Sequence, residues 1–277
     1  MGTLLNWLTP VAPKTIRNAA FELLSKVKTV PVTEEGIAFF KKGRTHWLNV
    51  DGVETALHRW GKGPVNILFL HGWMSNSQRW EGYVEALDPE LYSCYALDAP
   101  AHGLSAGKKL NLELFREALE RTLEITGEVD TVVSHSFGNM AVYYHFLYQG
   151  ELPIKKYVIL GTPTGMDAIL YYFRTTFGIS TSMLNNLLVK INEVLKIPHS
   201  EISVAEFLKQ VDRPVLLIHE ETDTITPIEP IRAAVSGING IETMYTTGLS
   251  HTLKHPEVID RVTAFIKEPL NSLKTCT

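Results

Sequence analysis

A chain of 277 residues can bury one large core and still carry an insertion, but it is short for two full domains. Its 45% hydrophobic and 20% charged residues are ordinary globular proportions, and a net charge of -4 gives no basic footprint for nucleic acid, so the expected partners are small or neutral molecules. Only two cysteines occur, Cys94 and Cys276, which excludes a disulfide framework or a zinc spacing and fits a reducing, cytoplasmic compartment.

The opening MGTLLNWLTP lacks a basic stretch and a long apolar run, so no signal peptide is expected, and no window reaches the roughly 18 apolar residues of a membrane span. Met1-Gly2 invites myristoylation, but Asn6 stands where that motif wants Ser or Thr. Residues 14–28 put Ile16, Ala20, Leu23, Leu24 and Val27 on one stripe between Pro13 and Pro31, which predicts an amphipathic helix. Such a stripe ordinarily packs on the main domain; a membrane surface or a partner is the other use. Residues 1–46 are therefore set apart as this helix and a lead-in. From Trp47, two short strands at 48–50 and 55–60 flank Asp51-Gly52, a hairpin turn signal. Gly61-Lys-Gly63 precedes Pro64 and a strand rather than opening a helix, so it reads as a turn and not a phosphate loop.

Short continuous apolar runs follow at 66–70, 93–97, 131–134, 157–160 and 215–218, with helical periodicity between several of them, as at 112–125 and 137–148. The alternation predicts an α/β fold with a mostly parallel central sheet flanked by helices, and ligands at the carboxyl ends of its strands. Some fifty residues separate the last two runs, too many for a plain loop, so 163–206 is expected to be a structured insertion in a core of 47–162 and 207–277. Its stretch 168–189 is apolar with one charge, Arg174, and predicts a helical lid. Phe173 and Phe177 from it, with Met74, are candidates to line a substrate pocket.

Polar constellations end the runs: His71-Gly-Trp73-Met74, Asp98-Ala-Pro-Ala101-His102-Gly103-Leu-Ser105, Ser134-His-Ser136-Phe137-Gly138, Glu220-Glu-Thr-Asp223 and Gly248-Leu-Ser-His251. A serine hydroxyl becomes a nucleophile when a neutral imidazole takes its proton, and that imidazole needs a carboxylate to hold its tautomer, so a Ser, a His and an acid must converge. A sharp strand-to-helix turn at Ser136 pushes its side chain outward and aims the N–H of Phe137 at a developing oxyanion.

With the motifs HGWM, DAPAHGLS, SHSFGN followed by EETDTITP, and GLSH in that order, the chain resembles the α/β-hydrolase fold family of the esterase, lipase and peroxidase-like type, from about Trp47 to the C-terminal helix. The resemblance implies Ser136 as nucleophile, Asp223 as acid and His251 as base, with the N–H groups of Trp73 and Phe137 as the oxyanion hole. It implies an acyl-enzyme route to cleavage of a carboxylic ester or thioester, and the apolar lid, Ile169 to Leu188, points to a small-to-medium hydrophobic substrate. Carbon–carbon hydrolysis, cofactor-free perhydrolysis and a low-turnover ligand receptor are alternatives on the same scaffold. Halide release and epoxide hydrolysis are disfavoured, because those enzymes carry an aspartate where this chain has Ser136. Ser134 and Ala101 depart from the family's usual glycines.

Asp167, after Gly161-Thr-Pro, is a rival acid. Glu220 and Glu221 are expected to be solvated, His71 and His102 to bond backbone, His135 to be buried, and Asp98 to organise a loop. His251 and His255 have metal-ligand spacing but lack the Glu of a zinc hydrolase motif, and no P-loop or dinucleotide fingerprint occurs, so neither metal nor cofactor is expected. A monomer or a homodimer is equally compatible with the sequence.

Overall fold

Alternate residues of the apolar runs face opposite ways, and this gives the central sheet a core on each side. In the computed structural model, which describes residues 2–272 with side chains from Leu5 onward, Leu68 and Leu70 join one buried cluster while Ile67 and Phe69 join the other. Met1 and Cys276 lie outside the described residues. Period-two alternation within an all-apolar run is what a strand covered on both faces requires.

Three helices precede the sheet: α1 (Gly2–Leu8), α2 (Pro13–Leu24) and α3 (Glu34–Lys41). Of these, only α2 was anticipated, and it is shorter than the expected 14–28, because Val27 N–H leaves the helix to donate to Lys108 O at 3.0 Å. Strands β1 (Arg44–Val50) and β2 (Val53–Trp60) form an antiparallel hairpin in which Asp51 and Gly52 take φ 48° and 77°, the positive pair of a two-residue turn. The pairing starts at Arg44, three residues ahead of the expected core.

There follow β3 (Val65–Leu70), α4 (Glu81–Glu85), β4 (Tyr92–Leu97), α5 (Leu112–Thr126), β5 (Val129–His135), α6 (Phe137–Gln149) and β6 (Ile154–Leu160). Between β6 and the next strand lie α7 (Met166–Phe177), α8 (Thr181–Val194) and α9 (Val204–Gln210). Helix α9 straddles residue 206, the expected end of the insertion, because Phe207 is buried against Tyr143 of α6, with ring centroids 4.8 Å apart. The chain closes with β7 (Val215–Glu220), α10 (Ile228–Val235), β8 (Ile241–Thr246) and α11 (Pro256–Lys267).

Among the described residues the strands make one eight-stranded sheet, in the order β1-β2-β4-β3-β5-β6-β7-β8, parallel from β4 to β8. The order reverses at β3, so the carboxyl ends of β3 and β5 splay their loops to opposite sides and leave the crevice in which such sheets bind ligands. No helix among the described residues is long and apolar enough to cross a membrane.

Helix α11, which follows the His251 loop, is anchored by a buried cation. Lys156 on β6 donates through Nζ to Ile266 O at 2.7 Å and pairs with Asp130 at 3.0 Å, so one ammonium satisfies carbonyls that a helix C-terminus leaves open. Lys156→Ala is expected to strand these acceptors and lower unfolding free energy by about 2–3 kcal/mol in a urea titration. A loss below about 0.5 kcal/mol, within the range of ordinary surface changes, would refute the anchor.

Candidate active site

Ser136 stands between the end of β5 and the start of α6 with φ 52° and ψ -119°, a positive-φ conformation costly for a residue with a Cβ. The crossing of α6 over β3 enforces it. A Cβ added at Gly138 would stand 2.7 Å from the carbonyl oxygens of both Leu70 and His71, so the helix begins closer to the strand than any side chain permits. The loop after β3 is equally close, since a Cβ at Gly72 would be 2.8 Å from that of Ser136. Trp73 follows, its ring edge-on to Phe137 at 5.5 Å. Phe137 opens α6, so its N–H has no intrahelical acceptor.

Ser134, the departure from the usual glycine, works as a clamp. Its Oγ donates to Asn139 Oδ1 at 2.6 Å, and Asn139 Nδ2 donates to Leu160 O at 2.9 Å, tying β5, α6 and β6 together under the turn. Ala101, the other departure, is buried at φ 66°, where glycine would be unstrained.

Ser136, His251 and Asp223, contributed by the ends of β5, β8 and β7, come together in a line. Ser136 Oγ lies 3.0 Å from His251 Nε2, and His251 Nδ1 lies 2.6 Å from Asp223 Oδ2. A carboxylate only accepts, so Nδ1 carries the proton and Nε2 faces the serine as an acceptor. Asp223 Oδ1 takes N–H bonds from Ile225 and Thr226 at 2.8 and 2.9 Å, and the Thr226 hydroxyl donates to Oδ2 at 2.7 Å. Burial raises the Asp223 pKa, but the His251 and Thr226 hydrogen bonds outweigh it and bring it down to about 2. Asp167 is elsewhere: it is exposed, 3.5 Å from His199.

Residues that sequence reasoning left aside hold this line in place. Glu220, expected to be solvated, is fully buried. It accepts from Thr222 Oγ1 (2.6 Å), Thr246 Oγ1 (2.8 Å), Gly248 N (2.9 Å) and Leu249 N (3.0 Å), joining the Asp223 loop to the His251 loop. Burial alone would raise its pKa; these donors bring it down to about 2. His219 Nε2 donates to Thr226 O at 2.7 Å behind Asp223.

Arg79 is buried beside His135. The His135 Nε2–H donates to His251 O at 2.9 Å, its Nδ1 accepts from Arg79 Nη1 at 2.6 Å, and Arg79 Nη2 donates to Thr252 O at 2.9 Å. Burial first, then the Arg79 charge, holds the His135 pKa well below the ordinary imidazole range, so the ring stays neutral and keeps this one-donor, one-acceptor pattern. On the opposite loops, His71 accepts from Ala99 N at 3.0 Å and donates to Gly72 O at 2.7 Å, and His102 accepts from Met74 N at 3.2 Å. Asp98 is buried and accepts from Ser77 N, Leu104 N and His58 Nε2 at 2.7, 2.8 and 3.1 Å.

A cavity of about 810 Å³ opens over Ser136 and His251. Met74, Phe173 and Phe177 line it, as do Ile169 of α7, Leu187 and Ile191 of α8, and Phe21 and Leu24 of α2. Arg79 and Phe21 had no sequence signal to single them out, Leu24 was marked only as part of an amphipathic stripe, and the only hint for Glu220 was its position at a strand end.

Known proteins share both the sequence pattern and the architecture. Residues 67–182 match the model of the alpha/beta hydrolase family, a segment that holds Trp73, Ser136 and Phe137 and stops before Asp223 and His251. The dihydrolipoyllysine-residue acetyltransferase component of the acetoin cleaving system of Cupriavidus necator is 35% identical over 95 residues, which are 32% of this chain and 25% of that protein. The pimeloyl-[acyl-carrier protein] methyl ester esterase of Vibrio vulnificus is 28% identical over 103 residues, 37% of this chain and 39% of that protein. The chain thus matches well under half the length of either curated relative. Among solved structures, an esterase of Pyrococcus furiosus superposes with a TM-score of 0.64 at 19% identity, covering 87% of this chain and 98% of that one, a likeness of fold.

Removing the Ser134 hydroxyl tests the clamp. Ser134→Gly restores the usual motif, yet it is expected to cost about 1–3 kcal/mol in denaturant unfolding by leaving Asn139 Oδ1 buried without a donor; a stabilised variant would mean that the serine is a strain instead. Acid titration tests the Glu220 network. Because the folded Glu220 pKa is depressed to about 2, its stabilisation is complete above the unfolded value of about 4.3 and is lost as pH falls from there toward 2. Glu220→Gln should therefore be less stable than wild type at neutral pH, with the gap closing across that window; urea midpoints that stay equally far apart down to pH 2 would contradict the assignment.

Proposed function

We propose that this chain, which has the α/β-hydrolase fold and matches the alpha/beta hydrolase family over residues 67–182, is a serine hydrolase cleaving a carboxylic ester or thioester of a hydrophobic substrate through an acyl-enzyme. The observation that carries this reading is the hydrogen-bonded line from Ser136 Oγ through the His251 ring to Asp223, at 3.0 and 2.6 Å. Distances of this kind are what general-base activation of a hydroxyl needs.

In this mechanism His251 Nε2 takes the Ser136 proton as Oγ attacks the carbonyl carbon. The oxyanion is received by the N–H groups of Phe137 and Trp73, each such donor being worth about 3 kcal/mol in the transition state. His251 then hands its proton to the departing alkoxide or thiolate. Water, deprotonated by the same nitrogen, attacks the acyl-enzyme; a second tetrahedral intermediate collapses, the acid leaves, and Ser136 regains its proton. Asp223, with its pKa near 2, stays ionised throughout and stabilises the imidazolium that forms twice per cycle. The apolar lining of the cavity supports a neutral hydrophobic substrate over a sugar or a phosphate.

A fluorophosphonate probe should label wild type and leave Ser136→Ala unmarked, and only wild type should turn over short p-nitrophenyl esters. Asp223→Asn should reduce turnover by about 10⁴-fold through the wrong imidazole tautomer. Asp167→Asn should leave turnover unchanged, its side chain being exposed and beside His199. An unlabelled wild type sinks the serine-hydrolase reading, and a sensitive Asp167 with an insensitive Asp223 moves the acid.

A further inference from the structure

Helix α2 precedes the sheet in the chain and crosses over between none of its strands, yet it forms a wall of the cavity above Ser136. It is fastened on both sides. On one, Asn186 Nδ2 of α8 donates to Pro13 O at 2.7 Å, and Arg17 pairs with Glu193 at 2.7 Å. On the other, just past its C-terminus, Leu110 N–H donates to Ser25 O at 2.8 Å and Val27 N–H donates to Lys108 O at 3.0 Å. Helix α2 is therefore strung between α8 and the loop that follows β4. Ile16 and Ala20 are buried in this packing, and Phe21 and Leu24 border the cavity.

The chemistry around the cavity is uneven. Ser136 and His251 are the reacting polar groups, whereas the wall built by α2 and α8 presents the hydrocarbon of Phe21, Leu24, Leu187 and Ile191. The one carboxylate on the lining among the described residues, Glu113, is already taken by Arg116 at 3.0 Å and by the Tyr144 hydroxyl. Among the described residues the lining carries no Lys or Arg to hold an anionic group. A volume of about 810 Å³ lies in the upper part of the roughly 300–1,000 Å³ span of small-molecule sites, more than a short acyl group fills.

Building on the serine-hydrolase reading, we propose that the substrate's acyl group is a medium-to-long hydrocarbon chain whose methyl end abuts helix α2, with Phe21 and Leu24 setting the chain length accepted. Each methylene taken into the cavity then raises kcat/KM about fourfold, the equivalent of about 0.8 kcal/mol per buried CH₂, until the chain meets α2.

The experiment is a kcat/KM profile of the full chain over p-nitrophenyl esters from acetate to palmitate, for wild type, Phe21→Trp, Leu24→Trp and Phe21→Ala. Both Trp variants should shift the optimum to shorter esters and cut the ratio of long-chain to butyrate turnover by about tenfold or more, the scale on which apolar pockets discriminate size; Phe21→Ala should shift it to longer esters. Calorimetric binding of free fatty acids from butyrate to palmitate to the same folded variants is measured alongside, because it needs no turnover. Matching shifts in both series support the proposal. An optimum unmoved in both Trp variants overturns it. If no ester is hydrolysed in a Ser136-dependent way, the hydrolase reading falls, and the α2 wall stands or falls on whether the fatty-acid optimum shifts.

Discussion

The close approach of α6 to β3 is the constraint on which the site depends. The carbonyls of Leu70 and His71 leave no room for a Cβ at Gly138, and the chain can enter the helix at that distance only by turning sharply at Ser136, at φ 52°. The turn lifts the serine hydroxyl clear of the sheet and leaves the first N–H of α6 beside it. Strain of this kind, of order 1–3 kcal/mol, persists only where the surroundings over-determine it. Here the Ser134–Asn139–Leu160 hydrogen bonds do so from below.

The remaining strand-end loops are ordered by buried polar groups whose partners are mostly backbone. Asp98 gathers the N–H groups of Ser77 and Leu104, Glu220 gathers those of Gly248 and Leu249, and Arg79 reaches Thr252 O directly and His251 O through His135. Each group pins a segment adjoining a residue of the Ser136–His251–Asp223 line or of the Trp73 loop. A buried charge costs free energy unless it is hydrogen-bonded, so these groups hold their loops in one arrangement or not at all. Such positioning suits chemistry in which a displacement of about 1 Å is costly.

The cavity is a separate construction laid over that frame. Helices α7 and α8 supply much of its apolar surface, and α2, from far earlier in the chain, supplies another wall. Its dimensions are set by packing between segments far apart in the chain, as in the Arg17–Glu193 pair 176 residues apart, so reading one segment at a time cannot recover them. The stripe of Ile16, Ala20 and Leu24 marked α2 as amphipathic without saying that it would rest on α8.

Local pattern was enough for what is local. The mainly apolar runs at 66–70, 131–134 and 215–218 carry strands because a strand covered on both faces is built mostly of apolar side chains, Asp51-Gly52 makes the hairpin because both positions take positive φ, and the order of Ser136, Asp223 and His251 marked three strand ends that the fold hydrogen-bonds in a line. Only the tertiary structure decided the fate of charges and hydroxyls that look alike in sequence. Glu220 and Glu221 are neighbours, yet one is buried under donors and the other is solvent-facing, because the Gly248–Leu249 backbone arrives from β8 beside only one of them. The same holds for Arg79 and Ser134: hydrogen-bond partners supplied by distant backbone decide whether a polar residue is surface or framework, and a partner's position is a property of the fold rather than of the residue.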